Sequence, residues 1–177
     1  PAPRAKAVAR ALLIALLALA LPAAAQKTIR IAPQSSLQVL DPFWTTATVT
    51  RSHGYMVYDT LFGTDAQNRV QPQMVQTWST SADRRSWTFT LRDGLAFHDG
   101  APVTSADVVA SLARWSQKDS LGQRLAAATE RWEAVDARSF RLVLKEPFGL
   151  VLEALGKPGA HVPFILPKRV ADTPADR

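Results

Sequence analysis

Apolar and polar residues follow three patterns along this chain: one uninterrupted apolar run near the start, stretches with a period of two, and stretches with helical spacing. The period-two stretches predict strands at Thr28–Ala32, where Ile29 and Ile31 alternate with polar neighbours, at Ser86–Leu91 and at Phe140–Leu144. In Ser86–Leu91, Trp87, Phe89 and Leu91 alternate with Thr88 and Thr90, and Asp93-Gly94 then signals a tight turn into a return strand, Leu95–His98. Asp99-Gly100 marks a second turn. Thr104 with Asp107 three residues on reads as a helix start of the capping-box kind, continued by Val108, Val109, Leu112 and Trp115 at helical spacing. Further helices are expected from Thr48 to Leu61, ended by Gly63, then over Leu121–Glu130, over Phe148–Leu155, and from Lys168. Residues 33–42 read as a loop closed by Asp41-Pro42, Trp132–Val135 as strand-like, and Val162–Pro167 as an extended apolar segment.

The uninterrupted run, Ala11–Leu21, follows Arg4, Lys6 and Arg10 and precedes Pro22 and Ala23-Ala24-Ala25. A basic start, an apolar centre of about half the ~20 residues that a membrane-spanning helix needs, and small residues at the end are the parts of a secretory signal peptide. Residues 1–25 are therefore expected to be a leader cleaved after Ala25, which directs residues 26–177 to the periplasm. There is no Cys at the cleavage point to carry a lipid.

Composition narrows the function classes. Hydrophobic residues make up 47% and charged residues 20%, as expected of a folded globular chain. The formal charge is +6, but three of those charges sit in the leader and the remaining Arg residues are scattered, so no nucleic-acid footprint is expected. The absence of Cys excludes disulfides, thiolate metal sites and a cysteine nucleophile. His53, His98 and His161 are too widely spaced for a local metal pair, and no cofactor or metal is expected. His98-Asp99-Gly100 reads as a turn rather than a catalytic pair, and no G-x-S-x-G context accompanies the Ser residues, so no catalytic residue is assigned. Trp78, Trp87, Phe89, Phe97 and Trp115 are expected in the core.

The ordered set Pro72, Trp78, Asp83, Trp87, Phe89, Leu91, Arg92, Gly94, Phe97, His98, Asp99, Gly100, Pro102, Asp107 and Val108 resembles the N-terminal hallmark of the family 5 extracellular solute-binding proteins. Leu40-Asp41-Pro42 and Val57-Tyr58-Asp59 upstream, and Phe140–Phe148 downstream, extend the resemblance over nearly all of residues 26–177. The resemblance implies an α/β fold: the N-terminal portion of a two-lobed, periplasmic-binding-protein-like clamshell, with the second lobe absent. Residues 26–177 would then be an incomplete first lobe.

The implied function is the binding component of an ABC importer. Its partners would be a short peptide or other small solute and the membrane permease subunits, with the full-length protein a monomer. The resemblance also places the loop Leu37–Thr50 at the cleft between the lobes. Phe43 and Trp44 would supply apolar surface, Thr45 and Thr46 hydroxyls, and Arg51 a guanidinium for a carboxylate. The competing readings are a surface loop with Trp44 tucked onto the core and, for the whole protein, an exported hydrolase or a chaperone-like periplasmic peptide binder.

Overall fold

The structure, a computed structural model, describes residues 29–174. The leader expected over residues 1–25 lies outside the described residues. The chain divides into two units, Pro1–Pro33 and Gln34–Arg177. In the first, residues 29–32 have no regular structure and Ile29 and Ile31 are exposed, so the strand expected at Thr28–Ala32 does not form over them. Alternation alone makes no strand without a ladder partner, and no described strand pairs with this segment.

The second unit is built on a four-stranded antiparallel sheet in the order β4-β5-β7-β6. The strands are β4 (Val75–Thr80), β5 (Ser86–Leu91), β6 (Thr129–Ala134) and β7 (Ser139–Leu144). The expected alternation of β5 and β7 puts Phe89, Leu91, Phe140, Leu142 and Leu144 in the core. Phe89 sits opposite Phe140 and their rings stack with centroids 4.9 Å apart. Helix α2 (Ser105–Trp115) packs against β6 and β7 and buries Val108, Leu112 and Trp115 completely.

Asp107, the third residue of α2, accepts hydrogen bonds at Oδ2 from the Thr104 backbone N–H (2.8 Å) and the Thr104 hydroxyl (2.6 Å). Its Oδ1 accepts from the N–H of Lys168 (2.7 Å), the first residue of α5 (Lys168–Ala171). One carboxylate thus fixes the starts of two helices. Helix α3 (Ser120–Ala128) starts similarly: Asp119 accepts from Leu121 N–H at 3.0 Å and Gly122 N–H at 2.9 Å.

Short elements complete the unit. Helix α1 (Thr48–Val57) is followed by β1 (Asp59–Thr60), which pairs with β8 (Phe164–Ile165). The hairpin of β2 (Phe62–Thr64) and β3 (Val70–Pro72) turns at Asn68, whose φ is +58°. Helix α4 spans Val151–Leu155. Gly54 lets α1 approach β8, because a Cβ there would stand 2.7 Å from the Phe164 ring.

Several further expectations are corrected. Helix α1 stops at Val57 rather than reaching Leu61, because Asp59 and Thr60 leave the helix to pair with β8. Leu95–His98 is not a return strand: both edges of β5 are already taken by β4 and β7, and only an isolated bridge from Ala96 to Pro102 remains. Gly94 has φ +74°, whereas Asp93 is not among the positive-φ residues, so the turn is not the I′ type. Trp78 is 40% exposed because β4 is an edge strand; its ring meets Phe62 edge-on at 5.4 Å. The helix expected over Phe148–Leu155 begins only at Val151.

Candidate functional site

The loop before α1 holds four of the five residues singled out above, Phe43 to Thr46, and Arg51 follows in α1. Its shape is set by Asp41. The carboxylate accepts from Phe43 N–H at 2.8 Å, and the Asp41 carbonyl accepts from Trp44 N–H at 3.3 Å. The hydroxyl of Thr50 donates to the Val39 carbonyl at 2.8 Å and ties the loop to α1. Phe43 is fully buried, with the Arg114 guanidinium 5.6 Å above its ring. It supports the loop and presents no surface to a solute. Its neighbour Trp44 points the other way and is 48% exposed. Thr46 is exposed and Thr45 half-buried, its hydroxyl accepting from Ala47 N–H at 3.2 Å. Arg51, half-buried in the first turns of α1, enters none of the ion pairs found among the described residues.

The other end of α1 borders an open concavity of about 860 Å³. The loop leads into α1 at Thr48, and the concavity is lined from Tyr55 onward, one turn after Arg51. Phe62, Met74 and Ile165 give the concavity an apolar floor, and Asp59, Lys157 and Arg169 add charges of both signs. None of the five residues lines it. Tyr55 borders it and donates its hydroxyl hydrogen to the Pro158 carbonyl at 3.1 Å. Burial raises the Tyr55 hydroxyl above its ordinary pKa, with Arg51 acting against that rise.

His98 and Asp99 lie on the concavity's rim, in the turn expected of them. Asp99 accepts from Ala101 N–H at 3.1 Å and from Arg169 at 3.2 Å. The Ala101 amide is the main cause that holds Asp99 below the usual carboxylate range. Among the described residues no group of three or more His, Asp or Glu could hold a metal ion. Sequence reasoning missed the concavity because its walls come from segments up to about 110 positions apart that no local pattern links. The one local signal is the aromatic pair Tyr55 and Tyr58, which helical spacing alone assigns to a helix face.

The model of the bacterial extracellular solute-binding proteins, family 5 Middle, matches residues 69–176. The chain belongs to this family. This family 5 member is 45% identical over 151 residues to a probable peptide ABC transporter periplasmic-binding protein of Sinorhizobium fredii, over 85% of this chain and 28% of the relative. It is 33% identical over 141 residues to the glutathione-binding protein of Salmonella typhi, over 78% of this chain and 28% of that one.

Among solved structures, a periplasmic binding protein of A. tumefaciens R10 in complex with mannopinic acid matches with TM-score 0.64 and 29% identity, over 74% of this chain and 27% of that one. Haemophilus influenzae OppA in complex with RPPGFSPFR matches in fold, with TM-score 0.61 and 21% identity, over 75% of this chain and 29% of that one. The α/β architecture is therefore that of the periplasmic binding proteins. The family 5 chain spans about 28% of the length of these curated relatives. The hallmark run from Pro72 to Val108 lies within the matched residues and is mostly scaffold, whereas the Asp41–Arg51 loop precedes them.

Proposed function

We propose that the protein carrying this chain is the extracytoplasmic binding component of an ABC importer, which captures a short peptide or similar small solute and delivers it to a membrane permease. The observation that carries this reading is the 45% identity to a probable peptide ABC transporter periplasmic-binding protein along 85% of the chain. In this reading residues 1–25 are a leader removed after Ala25, residues 26–177 are the N-terminal part of the first lobe, and the protein works in the periplasm as a monomer. Its role is capture without covalent chemistry, in keeping with the family's description as solute-binding proteins.

Trp44, Thr45, Thr46 and Arg51 form this lobe's share of the solute site. An exposed indole offers apolar contact area with little rotamer freedom to lose, adjacent hydroxyls hydrogen-bond a backbone, and a guanidinium pairs with a carboxylate. The second lobe supplies the remaining contacts, and closure is driven by tighter binding of solute to the closed state. Deleting the gene in its host should abolish uptake of a labelled tripeptide, with restoration by the wild-type gene but not by one lacking codons 1–25. Uptake that is unchanged by the deletion contradicts the transport role.

A further inference from the structure

We propose that the Asp41–Arg114 ion pair is a positioning device for the solute-facing loop, so that Arg114 sets solute affinity without touching solute. This rests on the reading that Trp44–Thr46 contact the solute. Residues 37–41 and 45–47 have no regular structure, so the loop's conformation must be imposed from elsewhere. Asp41 is where it is imposed. One carboxylate oxygen holds the Phe43 amide at 2.8 Å, and the other accepts from Arg114 Nη2 at 2.6 Å.

Arg114 sits near the end of α2 with only 2% of its side chain exposed, and the same Nη2 donates to the Pro174 carbonyl at 3.2 Å. Its central carbon lies 5.6 Å from the centroid of the Phe43 ring while Nη2 makes these bonds. A guanidinium, with five donors fixed in one plane, is better preorganised to do both at once than an ammonium on a flexible stem. Locking Phe43 inward turns Trp44, the next residue, outward. Helix α2 is itself fixed by the buried Leu112 and Trp115 and by Asp107. Rigidity thus passes from the core through Arg114 to the loop. A loop held in its binding conformation loses less freedom on binding, and apparent affinity falls in proportion when that conformation is only partly populated.

The test uses Asp41→Asn in the mature protein, because the amide oxygen still accepts from Phe43 N–H while the ion pair is lost. Hydrogen exchange is followed at Phe43 and Trp44, with β5 as an internal control, and affinity is measured for trialanine and for glutathione. We expect loop exchange to rise about tenfold, β5 exchange to stay within about twofold, and affinity to fall about tenfold for whichever probe the wild type binds. Equal acceleration in the loop and β5 would show a merely structural role and overturn the inference. So would unchanged loop exchange, or a loosened loop with unchanged affinity; in each of these cases the capture reading stands.

If the wild type binds neither probe, the capture reading for these solutes fails, and the affinity half of the inference fails with it. The exchange readout then still decides whether the pair anchors the loop. Should Asp41→Asn not fold, Arg114→Lys gives the same decision, with a smaller expected loss of about threefold, since it keeps the charge but not the planar fork of donors.

Discussion

Asp107 gives the sharpest test of how the hallmark motif works as scaffold. Its side chain is 8% exposed and serves two helix starts through opposite carboxylate oxygens: Thr104 on Oδ2 and Lys168 on Oδ1. Replacement by Ala removes the cap of α2, worth about 1 kcal/mol. It also strands the Lys168 amide, which adds about 1.5–3 kcal/mol for a lost bond to a charged acceptor. Asp107→Ala should therefore cost about 2.5–4 kcal/mol, or roughly 5–16 °C in Tm for a chain of this size.

Asp107→Asn is the informative comparison. With one oxygen, the amide can accept from Thr104 or from Lys168, and its NH₂ must face the other N–H, so about half the Ala penalty should remain. If Asp107 served α2 alone, the Asn carbonyl oxygen could still accept from Thr104, and Asn would be nearly as good as Asp. Urea unfolding of the mature protein followed by far-UV circular dichroism, read as a midpoint shift at constant slope, measures both variants. An Asn variant within ~0.5 kcal/mol of wild type, or an Ala variant losing less than ~1 kcal/mol, would refute the two-helix role.

Other outcomes follow from the packing and the charges. Gly54→Ala should gain about 1 kcal/mol of helix propensity but lose about 1–3 kcal/mol by overpacking against the Phe164 ring at 2.7 Å, a net destabilisation. Phe164→Leu in that background should cost less than it does alone, and simple additivity would count against the clash. Trp115→Phe should cost about 1–2 kcal/mol through the lost 2.8 Å bond from the indole N–H to the His161 carbonyl, with Trp115→Ala costing several times more in the same urea assay.

Asp65, Asp83 and Asp136 are held below the usual carboxylate range, mainly by the Arg69 amide, the Ser81 hydroxyl and the Arg138 amide respectively. Their folded-state pKa values lie below the unfolded value of about 3.9, so their contribution is intact above that pH and is lost as pH falls through the folded values. Burial holds His161 below the usual histidine range, which adds a shallower loss beginning near pH 6.5 as the unfolded chain takes up its proton. A urea midpoint that rises between pH 5 and pH 3 would contradict these signs.

What the sequence disclosed is what local physics decides. The alternation of β5 and β7 shows because one face of each is buried, and the Thr104–Asp107 start shows because its partners are three residues apart. Strand β4 escaped because Gln76 to Thr80 are all exposed at the sheet edge, which leaves no alternation to read. The end of α1 and the missing return strand were decided by pairing with β8 and β7, segments far along the chain. The second task of Asp107 spans 61 residues and the Asp41–Arg114 link spans 73, distances over which a single sequence carries no pairing signal. At the candidate site, the loop was found by resemblance, but the inward turn of Phe43 depends on Arg114 and could not be read from the loop itself.

Solute capture is decided by calorimetric titration of the mature exported protein with di-, tri- and tetrapeptides and with glutathione. At least one of these should bind saturably, one to one, at micromolar or lower Kd, and Trp44→Ala should weaken that binding. No heat of binding from any of them would contradict solute capture.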